Sequence, residues 1–406
     1  MPRRVVHFAP NMTSHRHHQH LDDDLVRRPR VQLYGEEAPR ATLPTAPDFL
    51  FCVELGLLIR SRQIKHTSVY TLMDEVSARL RDVRITNHIH HGGAHENHKD
   101  WTIMEDKAIP TQLSDHRFGV KIVSPFFRFG PGHGETWLPL LDVVMSVLNY
   151  DFELTTHHQC STSVHVVPAR GHWTLGEAKA LATSAIYFER CFDALMPYYR
   201  RRTIFAKSNR HNQYLGRRSV TACVASINGQ TDSFANLAAR MNWCGAKTAT
   251  SEALGNSDDF PHDAYRWNFL GLSNDNGYGT IEFRQPPGST DSTEAIKWVM
   301  LVGCFARLSC AFSVRPEHQP SLFSLGKWIR YEARLCKFNR LYVDELKRMF
   351  ERADEPQFAP GAGRDPEVIS GDEASRLRWL EALRWNAGQQ KFKELVNNSQ
   401  KKKRRA

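Results

Sequence analysis

The chain has 406 residues, 41 % hydrophobic and 24 % charged, a balance that fits a globular protein with a sizeable core and excludes a fibrous or wholly disordered one. No apolar run reaches the roughly 18 residues a membrane helix needs, and the N-terminus lacks the apolar segment of a secretory signal. Eight cysteines without a CxxC pair fit a reduced, intracellular, cytoplasmic protein rather than a disulfide scaffold. The formal charge of +10 invites a nucleic-acid partner, but half of it lies in Lys401, Lys402, Lys403, Arg404 and Arg405. Such a tail reads as solvated, with a nuclear address as its alternative role. No zinc-finger, helix-turn-helix or aromatic RNA-binding motif accompanies it.

Residues 1–47 are rich in Pro, Arg and His, lack a sustained period, and read as a mobile leader. Order begins at FLFCVELGLLIRS, where Cys52, Glu54 and Gly56 share one face of a strand and Val53, Leu55 and Leu57 the other. TSVYTLMDEVSARLRDV reads as a helix. NHIHHGGAHENHKDW, with His88, His90, His91, His95 and His98, reads as an exposed loop whose spacing matches no zinc pattern. FGVKIVSPFF is a second strand stopped at Pro125, TWLPLLDVVMSVLNY a buried helix, and CSTSVHVVP a third strand. Thr174 and Glu177 stand at capping-box spacing, ahead of a helical stripe of Leu181, Ala185, Phe188, Phe192 and Leu195. GTIEFRQPPG is a fourth strand, followed by the helix STDSTEAIKWVMLVGCFARL. Residues 316–394 read as a helical extension broken at DEPQFAPGAGRDPE, and 395–406 as a basic tail, which leaves 48–315 as the main domain. Strands separated by helices allow either α/β or α+β on pattern alone.

Four strands carry polar residues opposite an apolar face: Glu54, Lys121, Ser163 with His165, and Glu282 with Arg284. Singly, each is explained by solvation or a satisfied core histidine. Converging, they would line a cleft with two acids, one imidazole and two bases. Cys160 is five residues from His165, an odd spacing that puts the two on opposite strand faces and argues against a Cys–His pair. No Walker-A sequence, nucleophile elbow or dinucleotide fingerprint is present.

FLFCVELGLLI, DWTIMEDKAI, FGVKIVSPFF, CSTSVHVVP, FERCFDALMPYYRR with SNRHN, and GTIEFRQPPGSTDSTEAIKWV follow one another in the order found in amidoligases. Over residues 48–312 the chain resembles that family, carboxylate–amine ligases of the glutamine-synthetase and glutamate–cysteine ligase type that are common in fungal genomes. The resemblance implies an α+β fold: a curved antiparallel sheet with helices packed on one face, further C-terminal helices, and a concave face that binds ATP and Mg²⁺. It implies phosphorylation of a carboxylate to an acyl phosphate, which an amine attacks. The partners are then small-molecule or peptide carboxylates and amines, with no nucleic acid and no membrane.

Residue by residue, the resemblance makes Glu282, Glu54 and His165 metal ligands and Arg284 the phosphate-gripping arginine. Asp106 and Arg284 are then catalytic, Lys121 joins them as an electrostatic aid at a position where the family has another residue, and Asn268, Arg201 and Asn212 join Arg284 as cofactor contacts. The chemistry suits these residue types. Mg²⁺ takes hard oxygen ligands and shares them with phosphates, and a planar, permanently charged guanidinium matches phosphate oxygens.

Three positions depart from the family pattern. Gly56 stands where a second acid is usual, Lys121 where the second strand has Glu, and Ser163 where the third strand has its first His. At ~4 Å two unit charges interact by about 4 kcal/mol at an effective dielectric near 20, so Lys121 opposes a nearby divalent ion. Either it stands in for a lost cation, neutralising phosphate or pairing with Glu54 or Glu282 beside a single Mg²⁺, or the chain is a catalytically degenerate binding protein with a structural Lys121–Glu282 pair.

Overall fold

The alternation in FLFCVELGLLIRS produces one long strand, β1 (Phe49–Ser61), whose residues Phe51, Val53, Leu55, Leu57 and Ile59 are all buried. The computed structural model describes residues 46–353 apart from 92–98, 202, 213, 217, 245–259, 262–264 and 273–278. The leader, the loop and last helix beyond residue 353, the basic tail, His95 and His98 lie outside the described residues.

After β1 come α1 (Val69–Asp82), β2 (Asn87–His90), β3 (Trp101–Glu105), β4 (Phe118–Val123), β5 (Phe127–Phe129), α2 (Gly134–Asp151), β6 (Phe152–Thr155) and β7 (Thr162–Pro168). Then follow α3 (Leu175–Tyr187), α4 (Glu189–Leu195), α5 (Tyr198–Arg201), α6 (Val220–Gln230) and α7 (Phe234–Asn242). The last elements are β8 (Trp267–Asn268), β9 (Ile281–Phe283), α8 (Ser292–Ala311), α9 (Leu322–Leu335) and α10 (Arg340–Glu351). Among the described residues these nine strands form one sheet in the order β8-β9-β7-β1-β4-β3-β2, with β5 and β6 pairing the two ends of β1. The ladders are antiparallel except β2–β3, which is parallel. The architecture is α+β, an open and mostly antiparallel sheet with helices against it.

Burial is organised by register. Directly opposed residues of paired strands project to the same side, so Trp267, Phe283, Val164 and Val53 form one apolar row, and Val166 bridges Ile281 and Phe51 in another. All seven are buried. Helix α8, apolar almost all round as a core helix must be, packs on β1 and β7, while α9 and α10 pack in turn on α8. The expected capping box is present: Glu177 N–H donates to Thr174 Oγ1 at 3.2 Å and Thr174 N–H to Glu177 Oε2 at 2.9 Å. The stripe it starts is interrupted at Phe188, whose ring is held by Phe305 and Trp328, so one expected helix is two.

The expected exposed loop at NHIH is instead the edge strand β2. Its histidines carry little strand preference, but pairing with β3 overrides that. Asn87 fixes its start, donating to Ile85 O at 2.9 Å and accepting from Ser77 Oγ at 2.6 Å.

A buried ion pair joins the first strand to the C-terminal helices. Arg307 of α8 bonds Glu332 of α9 at 2.5 Å, Asp48 Oδ1 at 2.8 Å and Pro47 O at 2.7 Å, and Glu332 is 1 % exposed. Removing one partner of such a pair strands a charge in the core. Arg307→Leu should therefore cost about 3–5 kcal/mol in urea unfolding, and Arg307→Leu/Glu332→Leu should recover most of that loss. Equal losses in the single and double variants would refute this account of α8–α9 packing.

Candidate active site

The face of the sheet opposite the α8 core is polar at its centre, and register explains why. Asn268, Glu282, His165 and Cys52 lie in one row across β8, β9, β7 and β1. Ser163, Glu54, Val123 and Thr102 form the next, then Gly56, Lys121 and Met104. The four strand motifs singled out in the sequence do converge on one surface.

Glu54 is at the middle of it. Its Oε2 is 2.8 Å from Lys121 Nζ and its Oε1 3.1 Å from His165 Nε2. His165 Nε2 is 3.9 Å from Glu282 Oε1, which lies 3.5 Å from Arg284 Nε. Glu282 Oε2 accepts from Asn268 Nδ2 at 3.0 Å. Lys121, Glu54, His165, Glu282 and Arg284 thus form a row in which basic and acidic groups alternate across four strands. Burial alone would raise Glu54, but Lys121 and His165 beside it hold the carboxyl well below its usual range. Glu54 in turn raises Lys121 above its ordinary value against the effect of burial, with Asp106 and Glu282 adding to it. Burial works against a charged His165, and Glu282 and Glu54 outweigh it to raise this imidazole.

Glu54, His165 and Glu282 each offer one ligand atom within 4.8 Å of the others, a set that could hold a metal ion. The placement of His165 supports the fit. Its Nε2 is buried between two carboxylates, 3.1 Å from Glu54 Oε1 and 3.9 Å from Glu282 Oε1, while Nδ1 meets Thr280 Oγ1 at 3.0 Å. A hydrogen bond on one ring nitrogen fixes the orientation of the other, as in metal-bound histidines. Thr280 is not among the expected site residues, although it lies in GTIEFRQPPG and alternation with Glu282 and Arg284 already puts all three on one strand face.

The remaining expected residues separate into two groups. Asp106 and Asn268 are at the cluster. Asp106 Oδ1 caps Ala108 N–H at 3.0 Å, and Oδ2 lies 3.1 Å from where a Cβ on Gly56 would be. Asn268 holds Glu282 and also caps Leu270 N–H at 3.0 Å. Arg201 and Asn212 have other engagements. Arg201 Nε donates to Met196 O at 2.8 Å. Asn212 Oδ1 accepts from Tyr214 and Leu215 N–H at 2.8 and 3.0 Å, and its Nδ2 donates to Arg240 O. Their neighbour Arg200 is fully buried and staples the strand that carries the site, donating to Gln285 O and Arg284 O at 2.8 Å each and to His158 O at 3.3 Å.

Two expectations are corrected or confirmed by this geometry. Lys121 bonds Glu54, so the alternative Lys121–Glu282 structural pair does not form; Glu282 faces His165, Asn268 and Arg284. Cys160 is buried with Leu58 and Ile109, and burial pushes its thiol up to about 11, which removes it as a nucleophile.

Fold and site together define an α+β protein with a carboxylate–imidazole cluster on an open sheet. The family model described as "Putative amidoligase enzyme" matches residues 59–305, more than half of the chain, and the chain belongs to that family. The match spans Lys121, His165, Glu282 and Arg284 and begins after Glu54. Among solved structures, a bifunctional glutathione synthetase from Pasteurella multocida aligns with a TM-score of 0.32 and 9 % identity, covering 82 % of this chain and 50 % of that one. The chain thus spans half the length of that protein. No curated protein matches it. Among the described residues, no helix is long and apolar enough to cross a membrane.

Beside the site strand, Arg266 Nη1 bonds Asp193 at 2.9 Å and Glu189 at 3.2 Å, and Gln285 Nε2 donates to Asp193 at 2.6 Å. Burial pushes the Asp193 carboxyl up to about 6 against the pull of Arg266. A carboxyl whose pKa is raised on folding binds its proton more tightly in the native state, so its contribution falls as pH rises from about 4 to about 6. Asp193→Asn should therefore gain roughly 2–3 kcal/mol on the wild type between pH 4 and 7. A wild-type-minus-variant difference in unfolding free energy that stays constant over that range would contradict it.

Proposed function

We propose that the chain is an ATP-dependent ligase that joins a carboxylate to an amine through an acyl phosphate. The observation that carries this reading is the convergence of His165 Nε2 with the Glu54 and Glu282 carboxylates, with the Arg284 guanidinium beside Glu282. Glu54, His165 and Glu282 would hold Mg²⁺, which when bound supplies charge neutralisation for the nucleotide phosphates. Arg284 grips phosphate oxygens, Asn268 orients Glu282, and Thr280 orients His165. The substrate carboxylate takes the γ-phosphoryl group and ADP leaves; the amine then forms the C–N bond as phosphate leaves. Catalysis of this kind depends on positioning and charge rather than on a protein nucleophile, which suits a site beside which the Cys160 thiol is buried and its pKa pushed up to about 11. Lys121 acts electrostatically, and Asp106 is assigned the proton that the amine loses. The substrates are small-molecule or peptide acids and amines.

The test is a titration of the purified chain with ATP, with and without Mg²⁺, followed by ADP release with amino-acid carboxylates and hydroxylamine as the amine. Glu282→Ala should weaken Mg²⁺-dependent ATP binding by at least roughly tenfold, since even outer-shell partners of a metal site are worth 10–100-fold. Unchanged affinity and turnover in that variant would refute the assignment. The contact of Lys121 with Glu54 favours a second reading, a degenerate member that binds without turnover. Such a chain would bind ATP equally with and without Mg²⁺ and release no ADP.

A further inference from the structure

We propose that the Lys121 ammonium is a tethered cation that limits this site to a single divalent ion. The inference rests on the reading of Glu54, His165 and Glu282 as metal ligands, and it goes further by assigning how many ions they take. Its basis is the pattern of carboxylates around Lys121. Nζ is 2.8 Å from Glu54 Oε2, and the charges of Asp106 and Glu282 act on it as well. The ammonium thus takes the side of Glu54 Oε2 at which a divalent ion would otherwise find a carboxylate ligand.

Gly56 and Asp106 complete the argument. Gly56 is the register partner of Lys121, and a Cβ at Gly56 would stand 3.1 Å from Asp106 Oδ2, 3.3 Å from Ser161 O and 3.5 Å from Ile109 Cδ1. The glycine thus makes room for a carboxylate that arrives from the turn after β3 rather than from β1. On this side of Glu54 the acids are Glu54 Oε2 and Asp106, and the cation that faces them is Lys121. On the other side Glu54 Oε1, His165 Nε2 and Glu282 Oε1 remain for a mobile ion. Glu54 is shared, one oxygen to the fixed cation and one to the exchangeable one. A second divalent ion at Glu54 Oε2 would sit in contact with the ammonium, and like-charge repulsion excludes it.

The stoichiometry of Mn²⁺ binding to the full chain without nucleotide, counted from the free-ion EPR signal, decides the matter. One ion per wild-type chain is expected. In Lys121→Met the count should rise to two, or the single ion should bind at least roughly tenfold tighter, because a neighbouring positive charge has gone. Lys121→Arg keeps the charge and should remain at one ion with unaltered circular dichroism. Two ions in the wild type, or a Lys121→Met variant unchanged in both count and affinity, overturns the proposal. Should Lys121→Met fail to fold, the wild-type count decides alone: one upholds the proposal, two overturns it. No bound ion overturns both this and the metal-ligand reading. One Mn²⁺ bound without nucleotide turnover would sink the ligase reading and leave this one standing.

Discussion

Glu54 is a carboxylate on the central strand of a nine-stranded sheet, only 14 % exposed at its side chain. Such a group stays ionised only if its surroundings replace the water it has lost. Lys121 from one neighbouring strand and His165 from the other do this, and both are diagonal rather than direct partners, since Glu54 itself pairs with Val123 and Ser163. The rest of the charged row is linked to that arrangement. His165 brings Glu282 into the row, Glu282 brings Arg284 and Asn268, and Lys121 draws in Asp106. A shift of one residue in either ladder would turn these side chains into the core on the far side, so the charge row and the register specify each other.

The polar centre of this face is backed by an apolar row on the other. Trp267, Phe283, Val164 and Val53 continue as an unbroken apolar row, and α8 closes over it. Where charge does enter the core, it is used to join elements distant in the chain. Arg307 ties residues 47–48 to α9 through a single guanidinium. Arg200 has no carboxylate among its bonded partners; it holds three backbone carbonyls, two of them at residues 284 and 285. Burial lowers its pKa to about 10, still charged near neutrality. A rigid donor of this kind fixes the strand on which Glu282 and Arg284 sit, and that rigidity is what a site working by position requires.

Much of this was legible from residue types and spacing. The capping box at Thr174 and Glu177, the two faces of β1, and the company of Glu282 with Arg284 depend on neighbours three or two positions away, and local geometry fixes those. The strand at Asn87–His90 was not legible, because His and Asn do not favour strands and the pairing with β3 is made across a segment of separate sequence. Arg201 and Asn212 are placed as cofactor contacts by the family resemblance; that Arg201 Nε bonds Met196 O and Asn212 Oδ1 accepts from Tyr214 and Leu215 is a matter of local backbone course that residue type does not announce. Arg200, one residue away, could not be told from Arg201 without knowing which was buried.

The sequence by itself determined the four strands that carry the candidate site, the faces they present, and the residues they offer to a common surface, because alternation along a strand is a local property. It also revealed that Gly56, Lys121 and Ser163 break the expected acidic and imidazole pattern. Only the tertiary structure decided what each break means. It paired Lys121 with Glu54 rather than Glu282, set Asp106 over the gap at Gly56, and left His165 Nε2 facing two carboxylates. Those outcomes depend on the register of four ladders and the course of one turn, distances of a few ångströms between residues as much as 228 positions apart in the chain, from Glu54 to Glu282.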